Sequence, residues 1–118
     1  MMRKVLVEDL KQFGIDAPKE GKLVIDAYTV WCGPCQYISP VLEKFRDEGL
    51  IHLVQVNLDE NQEMAQKLNI TAIPTLFFFK DGKQLDNDIK IQGQVVVNKG
   101  VMVGAAGELI LKEIIEQM

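Results

Sequence analysis

Trp31-Cys32-Gly33-Pro34-Cys35 is the stretch from which the rest of this chain can be read. Both cysteines of the protein lie in it, with a glycine and a proline between them. A nearly continuous apolar run at residues 23–28, Leu-Val-Ile-Asp-Ala-Tyr, leads in, as strands buried on both faces do. Ile38, Val41, Leu42 and Phe45 lead out at helical spacing. The pattern predicts that a central strand delivers the pair and that a helix starts on it. At a helix start, unpaired N–H groups and the positive end of the dipole stabilise a thiolate. Cys32 is therefore the expected nucleophile. Cys35, one helical turn further along the same face, is placed to resolve a mixed disulfide. Pro34 suits the first turn of a helix, where its missing N–H needs no partner.

Working outward from the motif, the elements alternate. Residues 3–7 are read as a short strand and residues 7–13 as a short helix with Leu10 and Phe13 inward. Residues 33–48 form the long helix, ended by Gly49. Residues 51–56 are a strand, followed by a helix to about Leu68, capped by Asp59 or Asn61 and ended at Asn69. Residues 75–79 are rich in β-formers, and Asp81-Gly82 is a hairpin signal. Ile110, Leu111, Ile114 and Ile115 share one face of a last helix from Gly107 to Gln117. Strands alternating with helices, then hairpins, predict an α/β fold with a mixed sheet. Residues 83–100 are read as an extended β arm, with strands near 88–92 and 94–97 and turns at Gly93 and 98–100. The arm is expected to lengthen the sheet, away from Cys32.

With 118 residues the chain suits one domain, 1–118, around one core. It is 47% hydrophobic and 25% charged, the composition of a soluble globular protein. A net charge of -4 leaves out the basic footprint of nucleic-acid binding. No stretch approaches the length of a membrane span. The N-terminal apolar run is too short for a signal peptide, so a cytoplasmic location is expected. A disulfide across two residues closes too short a loop to staple a fold. Zinc usually takes four ligands, and two cysteines with a distant His52 do not provide them, so no metal is expected. His52 reads as a surface strand residue and Met64 as core.

Asp26 stands inside the apolar run, where loss of solvent should raise its pKa and let it exchange protons near neutral pH. Ile73 precedes Pro74, which forces it into the extended region.

The chain resembles the thioredoxin family. The resemblance is carried by Asp26, the Trp31–Cys35 motif, Pro40, Asn57-Leu58-Asp59, Ile73-Pro74-Thr75, Lys80-Asp81-Gly82 and Val103-Gly104. Residues 83–100 fall outside it. It implies the thioredoxin fold, a central mixed sheet with helices on both faces. It implies a protein-disulfide reductase without a bound cofactor, acting on disulfide-containing proteins and recharged by a flavin-dependent thioredoxin reductase. Asp26 would be the general base for Cys35, and the bond before Pro74 would be cis and face the disulfide. Trp31, Ile73, Pro74, Thr75 and Gly104 would line the groove for an extended target segment, held by backbone pairing. Gly33 and Pro34 would set how oxidising the pair is. Gln55 stands where the family often has a lysine beside the buried aspartate, Tyr28 where a tryptophan is common, and Gln36 where a lysine is common. Two rival readings stay open. A glutaredoxin-like enzyme would usually carry Pro-Tyr between its cysteines. A binding module would use the fold, and the arm, to hold a partner.

Overall fold

The computed structural model describes residues 5 and 7–118. Its elements run α1 (Val7–Gln12), β1 (Lys22–Tyr28), α2 (Gly33–Asp47), β2 (His52–Asn57), α3 (Gln62–Lys67), β3 (Thr75–Lys80), β4 (Lys83–Gln84), β5 (Ile89–Ile91), β6 (Gln94–Val97), β7 (Val101–Val103) and α4 (Glu108–Gln117). The strand expected over residues 3–7 falls mostly outside the described residues. Val7 opens α1 instead.

The main sheet has the order β2-β1-β3-β4, with β7 also paired to β3. β1 is parallel to β2, with α2 as the crossover that a parallel pair requires, and antiparallel to β3. This interior position explains why β1 and β3 are apolar on both faces. Alternation then sorts their side chains into two cores. Val24, Leu76 and Phe78 face α2 and α4, packing with Ile38, Leu42, Phe45, Leu111, Ile114 and Ile115. Leu23, Ile25, Ala27, Phe77 and Phe79 face the other side, packing with Leu10, Met64 and Leu68. Burying each of these large side chains stabilises the fold by about 1.5–3 kcal/mol. Asp26 lies two residues on from Val24 and shares its face, so the sheet turns its carboxylate toward α2.

Helices α2 and α3 stop where the sequence says they should. Leu50 and Gly49 N–H donate to the Phe45 and Arg46 carbonyls at 3.0 Å each, and Ile70 and Asn69 N–H to Ala65 and Gln66 at 2.9 and 3.2 Å. Both ends thus carry the paired bonds of a Schellman motif. Asn61 is the N-cap of α3, but its side chain makes no capping bond. In α4 the inward face is Leu111, Ile114 and Ile115; Ile110, expected to join them, sits at the flank of that stripe and is exposed.

The segment 83–100 is ordered into strands close to those expected, but its placement differs. β5 and β6 form a separate two-stranded sheet rather than lengthening the main one. Ile89, Ile91 and Val97 are buried in the same core as Ile38 and Leu42 of α2. Strand β5 lies against α4, where Gln117 Nε2 donates to the Lys90 carbonyl at 3.1 Å, and its apolar face gains more by covering that helix than it would by continuing a sheet edge into solvent. Three tight hairpins shape this region, at Asp81-Gly82, Gln92-Gly93 and Lys99-Gly100, each with positive φ at both loop residues. Lys80 pairs with Lys83, Ile91 with Gln94 and Asn98 with Val101 across them. That is the type I′ geometry, whose twist matches the flanking strands. Among the described residues, no helix is long and apolar enough to cross a membrane.

Candidate active site

The β1 run ends at Tyr28, and the chain turns through Thr29, Val30 and Trp31 into α2. Cys32 is the N-cap of that helix, with extended backbone angles. Its Sγ accepts the backbone N–H of Cys35 at 3.2 Å, the bond that a serine or aspartate oxygen makes at ordinary helix starts. Gly33 and Pro34 fill the first two helical positions. In the structure Cys32 and Cys35 are joined as a disulfide, with Cα atoms 5.3 Å apart. Cys32 is 5% exposed and Cys35 1%.

The strand register gathers the other sequence-predicted residues at the same end of the sheet. Tyr28 is opposite Asn57, and Ala27 is opposite Thr75. Thr75 is in turn opposite Val103. Pro74 and Gly104 therefore continue this register, and Gly104 N–H donates to the Pro74 carbonyl at 2.8 Å. The Ile73–Pro74 bond is cis. Thr75 is buried, its hydroxyl donating to the Ala72 carbonyl at 2.7 Å. Trp31 is 71% exposed, with its indole N–H donating to Asp59 Oδ2 at 3.1 Å. Asp59, expected as a possible helix cap, serves the tryptophan instead. Val30, Tyr37 and Val103 are also exposed, giving this end an apolar rim.

Asp26 is fully buried. Ser39 Oγ donates to its Oδ2 at 2.9 Å, while Oδ1 has no hydrogen-bond partner. Burial pushes the carboxyl above its ordinary range; the Ser39 hydrogen bond opposes this, the Glu43 charge reinforces it, and the Gln55 amide opposes it more weakly. Gln55 Nε2 donates to Glu43 Oε2 at 3.3 Å. A cleft of about 360 Å³ is lined by Cys35, Ser39, Glu43 and Gln55 among others. Ser39 and Glu43 escaped the sequence reading. Their signal was spacing: Cys35, Ser39 and Glu43 recur every four residues, one stripe on α2.

The comparisons agree with this geometry. The thioredoxin family model matches residues 4–99. A thioredoxin of Bacillus subtilis is 38% identical over 86 residues, 68% of this chain and 83% of that protein. Thioredoxin-2 of Pyricularia oryzae is 39% identical over 90 residues, 70% of this chain but 53% of its own longer length. Among solved structures, a Malassezia sympodialis thioredoxin superposes with a TM-score of 0.65 at 30% identity, covering 99% of this chain and 93% of that one. A mutant thioredoxin from Halobacterium salinarum gives 0.64 at 31% identity, covering 83% and 74%.

Proposed function

The chain belongs to the thioredoxin family of protein-disulfide reductases, and we propose that Cys32 attacks, Cys35 resolves and Asp26 handles the proton. The observation that carries this division is the Cys32 sulfur at the N-cap of α2, accepting the Cys35 N–H. A thiolate there keeps that bond and gains the helix dipole; a sulfur at the third helical position has neither. The Cys32 thiolate attacks a sulfur of the target disulfide and releases one target thiolate. Cys35 gives its proton to Asp26, attacks the Cys32 sulfur and releases the second target thiolate, which takes a proton from water. The protein is left with the Cys32–Cys35 disulfide seen in the structure.

Targets would lie across Trp31 and the Ile73-Pro74-Thr75 segment, with Gly104 beside it. An extended target segment pairing with the Ile73 backbone needs no particular sequence, which suits a reductase with many clients. A thioredoxin reductase would restore the dithiol, in a reducing compartment such as the cytoplasm. Gly33-Pro34 between the cysteines favours net reduction over oxidation of clients. The test is turbidimetric insulin reduction with dithiothreitol. The protein should accelerate precipitation well beyond dithiothreitol alone, and Cys32→Ser should not. Equal rates with and without the protein would leave a binding module as the better reading.

A further inference from the structure

A buried base needs a way to exchange its proton with water. Asp26 is fully buried, and its strand neighbour on one side, Leu76 in β3, is apolar. Its neighbour on the other side is Gln55 in β2. Above this pair runs the polar stripe of α2, Cys35, Ser39 and Glu43. The Ser39 hydroxyl touches the Asp26 carboxylate, and Ser39 also lines the open cleft. Glu43 and Gln55, hydrogen-bonded to one another, line the same cleft.

We propose that Ser39 relays the proton between Asp26 and the water of this cleft, with the Glu43–Gln55 pair as its outer acceptor. The proposal deepens the reading that Asp26 takes the Cys35 proton, and rests on it. A hydroxyl is both donor and acceptor, so it can take a proton from the carboxyl while passing its own outward. The cleft has room for several waters and the polar walls they need. A cation at position 55 would pair with Asp26 and hold it ionised. Gln55 instead engages Glu43, leaving as the charged neighbour of Asp26 a carboxylate that discourages it from giving up the proton. Glu43 thus both favours proton uptake by Asp26 and receives the proton when it leaves.

The steps balance. The Cys35 proton passes to the Asp26 carboxylate. The Cys35 sulfur bonds to Cys32, the bond from Cys32 to the target sulfur breaks, and the target thiolate takes a proton from water. Protonated Asp26 gives its proton to Ser39 Oγ, which releases its own to the cleft and on to Glu43 or bulk water. Recharging of the disulfide runs the route inward.

Reduced protein mixed with dithiobis-nitrobenzoate releases one chromophore on attack by Cys32 and a second when Cys35 resolves, so stopped flow reads the two steps apart. Ser39→Ala should slow the second release about tenfold or more, and weaken its pH dependence and its solvent isotope effect. Ser39→Thr, which keeps the hydroxyl, should restore them. Glu43→Gln should move the pH dependence of the second release to lower pH, since a like charge has gone. A second release in Ser39→Ala that keeps the parent rate and pH profile overturns the relay. Asp26→Asn separates the two layers. If it slows the second release while Ser39→Ala does not, the base stands and only the relay fails. If Asp26→Asn keeps the parent rate, the base reading falls and takes the relay with it.

Discussion

The Ser39 hydroxyl donates to one oxygen of Asp26 at 2.9 Å, and the other oxygen of that buried carboxylate has no partner. A buried carboxylate this poorly satisfied costs the fold stability while it is charged. Because the folded-state pKa is raised, the folded protein binds this proton more tightly than the unfolded chain. The stabilisation linked to that proton is full below the ordinary carboxylate range and is lost as pH rises through the raised value. Asp26→Asn should therefore stabilise the protein by about 1–3 kcal/mol at neutral pH, the scale of a buried unsatisfied group. The gain should fade in acid, where both states carry the proton. Urea unfolding at neutral and acid pH measures this; a gain of the same size at both would contradict the burial argument.

The two sulfurs should behave as unequal partners. Cys35→Ser should accumulate a mixed disulfide with a target through Cys32, and Cys32→Ser should accumulate none. Cys32 has the helix N-cap. Non-reducing electrophoresis after mixing with insulin reads the trapped species, and peptide mapping of the alkylated parent gives the same order. Labelling of Cys35 ahead of Cys32 would reverse the assignment.

Much of this is legible from residue pattern. The apolar run into Cys32 reads as an interior strand, and Ile38, Val41, Leu42 and Phe45 at helical spacing read as the helix that starts on the cysteines. Gly49 and Asn69 end their helices as their backbone preferences dictate. The misses share a cause. Alternation at Ile89 and Ile91 says that one face is buried, but not against which partner, so the arm reads as a sheet extension and yet packs against α4. Ser39 and Glu43 look like solvent-facing helix residues until the sheet register sets Asp26 and Gln55 beneath them. Gln92 and Lys99 are poor advertisements for positive φ, yet both take it, because the glycine after each completes the turn.

The placement of the arm changes what its removal should do. A sheet extension could be trimmed, and a short turn in place of residues 84–99 would then leave insulin reduction nearly unchanged. Ile89, Ile91 and Val97 instead share a core with Ile38 and Leu42 on the helix that carries Cys35. Trimming should expose that core and lower both stability and activity. Ile89→Ala alone should cost about 2–5 kcal/mol, as large-to-small changes in packed cores do. Val95→Ala, on the exposed face, should stay within about 0.5 kcal/mol. Paired denaturation curves would show whether the two positions differ in this way.

Two glycines of the arm have nearly the same backbone but different surroundings. Gly93 has φ +80 and Gly100 φ +86. A Cβ at Gly93 would meet nothing within 4 Å, so Gly93→Ala pays only for the left-handed backbone. That is about 1–2 kcal/mol. A Cβ at Gly100 would stand 2.6 Å from Gln84 Cγ and 2.8 Å from the Leu85 carbonyl oxygen. Gln84 is not free to retreat. Its side-chain amide accepts from Val5 N–H at 2.8 Å and donates to the Lys99 carbonyl at 2.9 Å, tying the N-terminal segment to this turn. The Leu85 oxygen belongs to the backbone, and Leu85 N–H is bonded to the Phe78 carbonyl at 3.0 Å. Gly100 itself offers its carbonyl to Phe78 N–H at 2.8 Å, so moving it away would pull on the central strand β3. Gly100→Ala should therefore cost more than Gly93→Ala by at least about 1 kcal/mol, the overpacking penalty added to the backbone one. Thermal unfolding of the two variants side by side checks the order. Equal losses would mean that Gln84 and the turn can shift at little cost, and that the contact between them does not fix the arm.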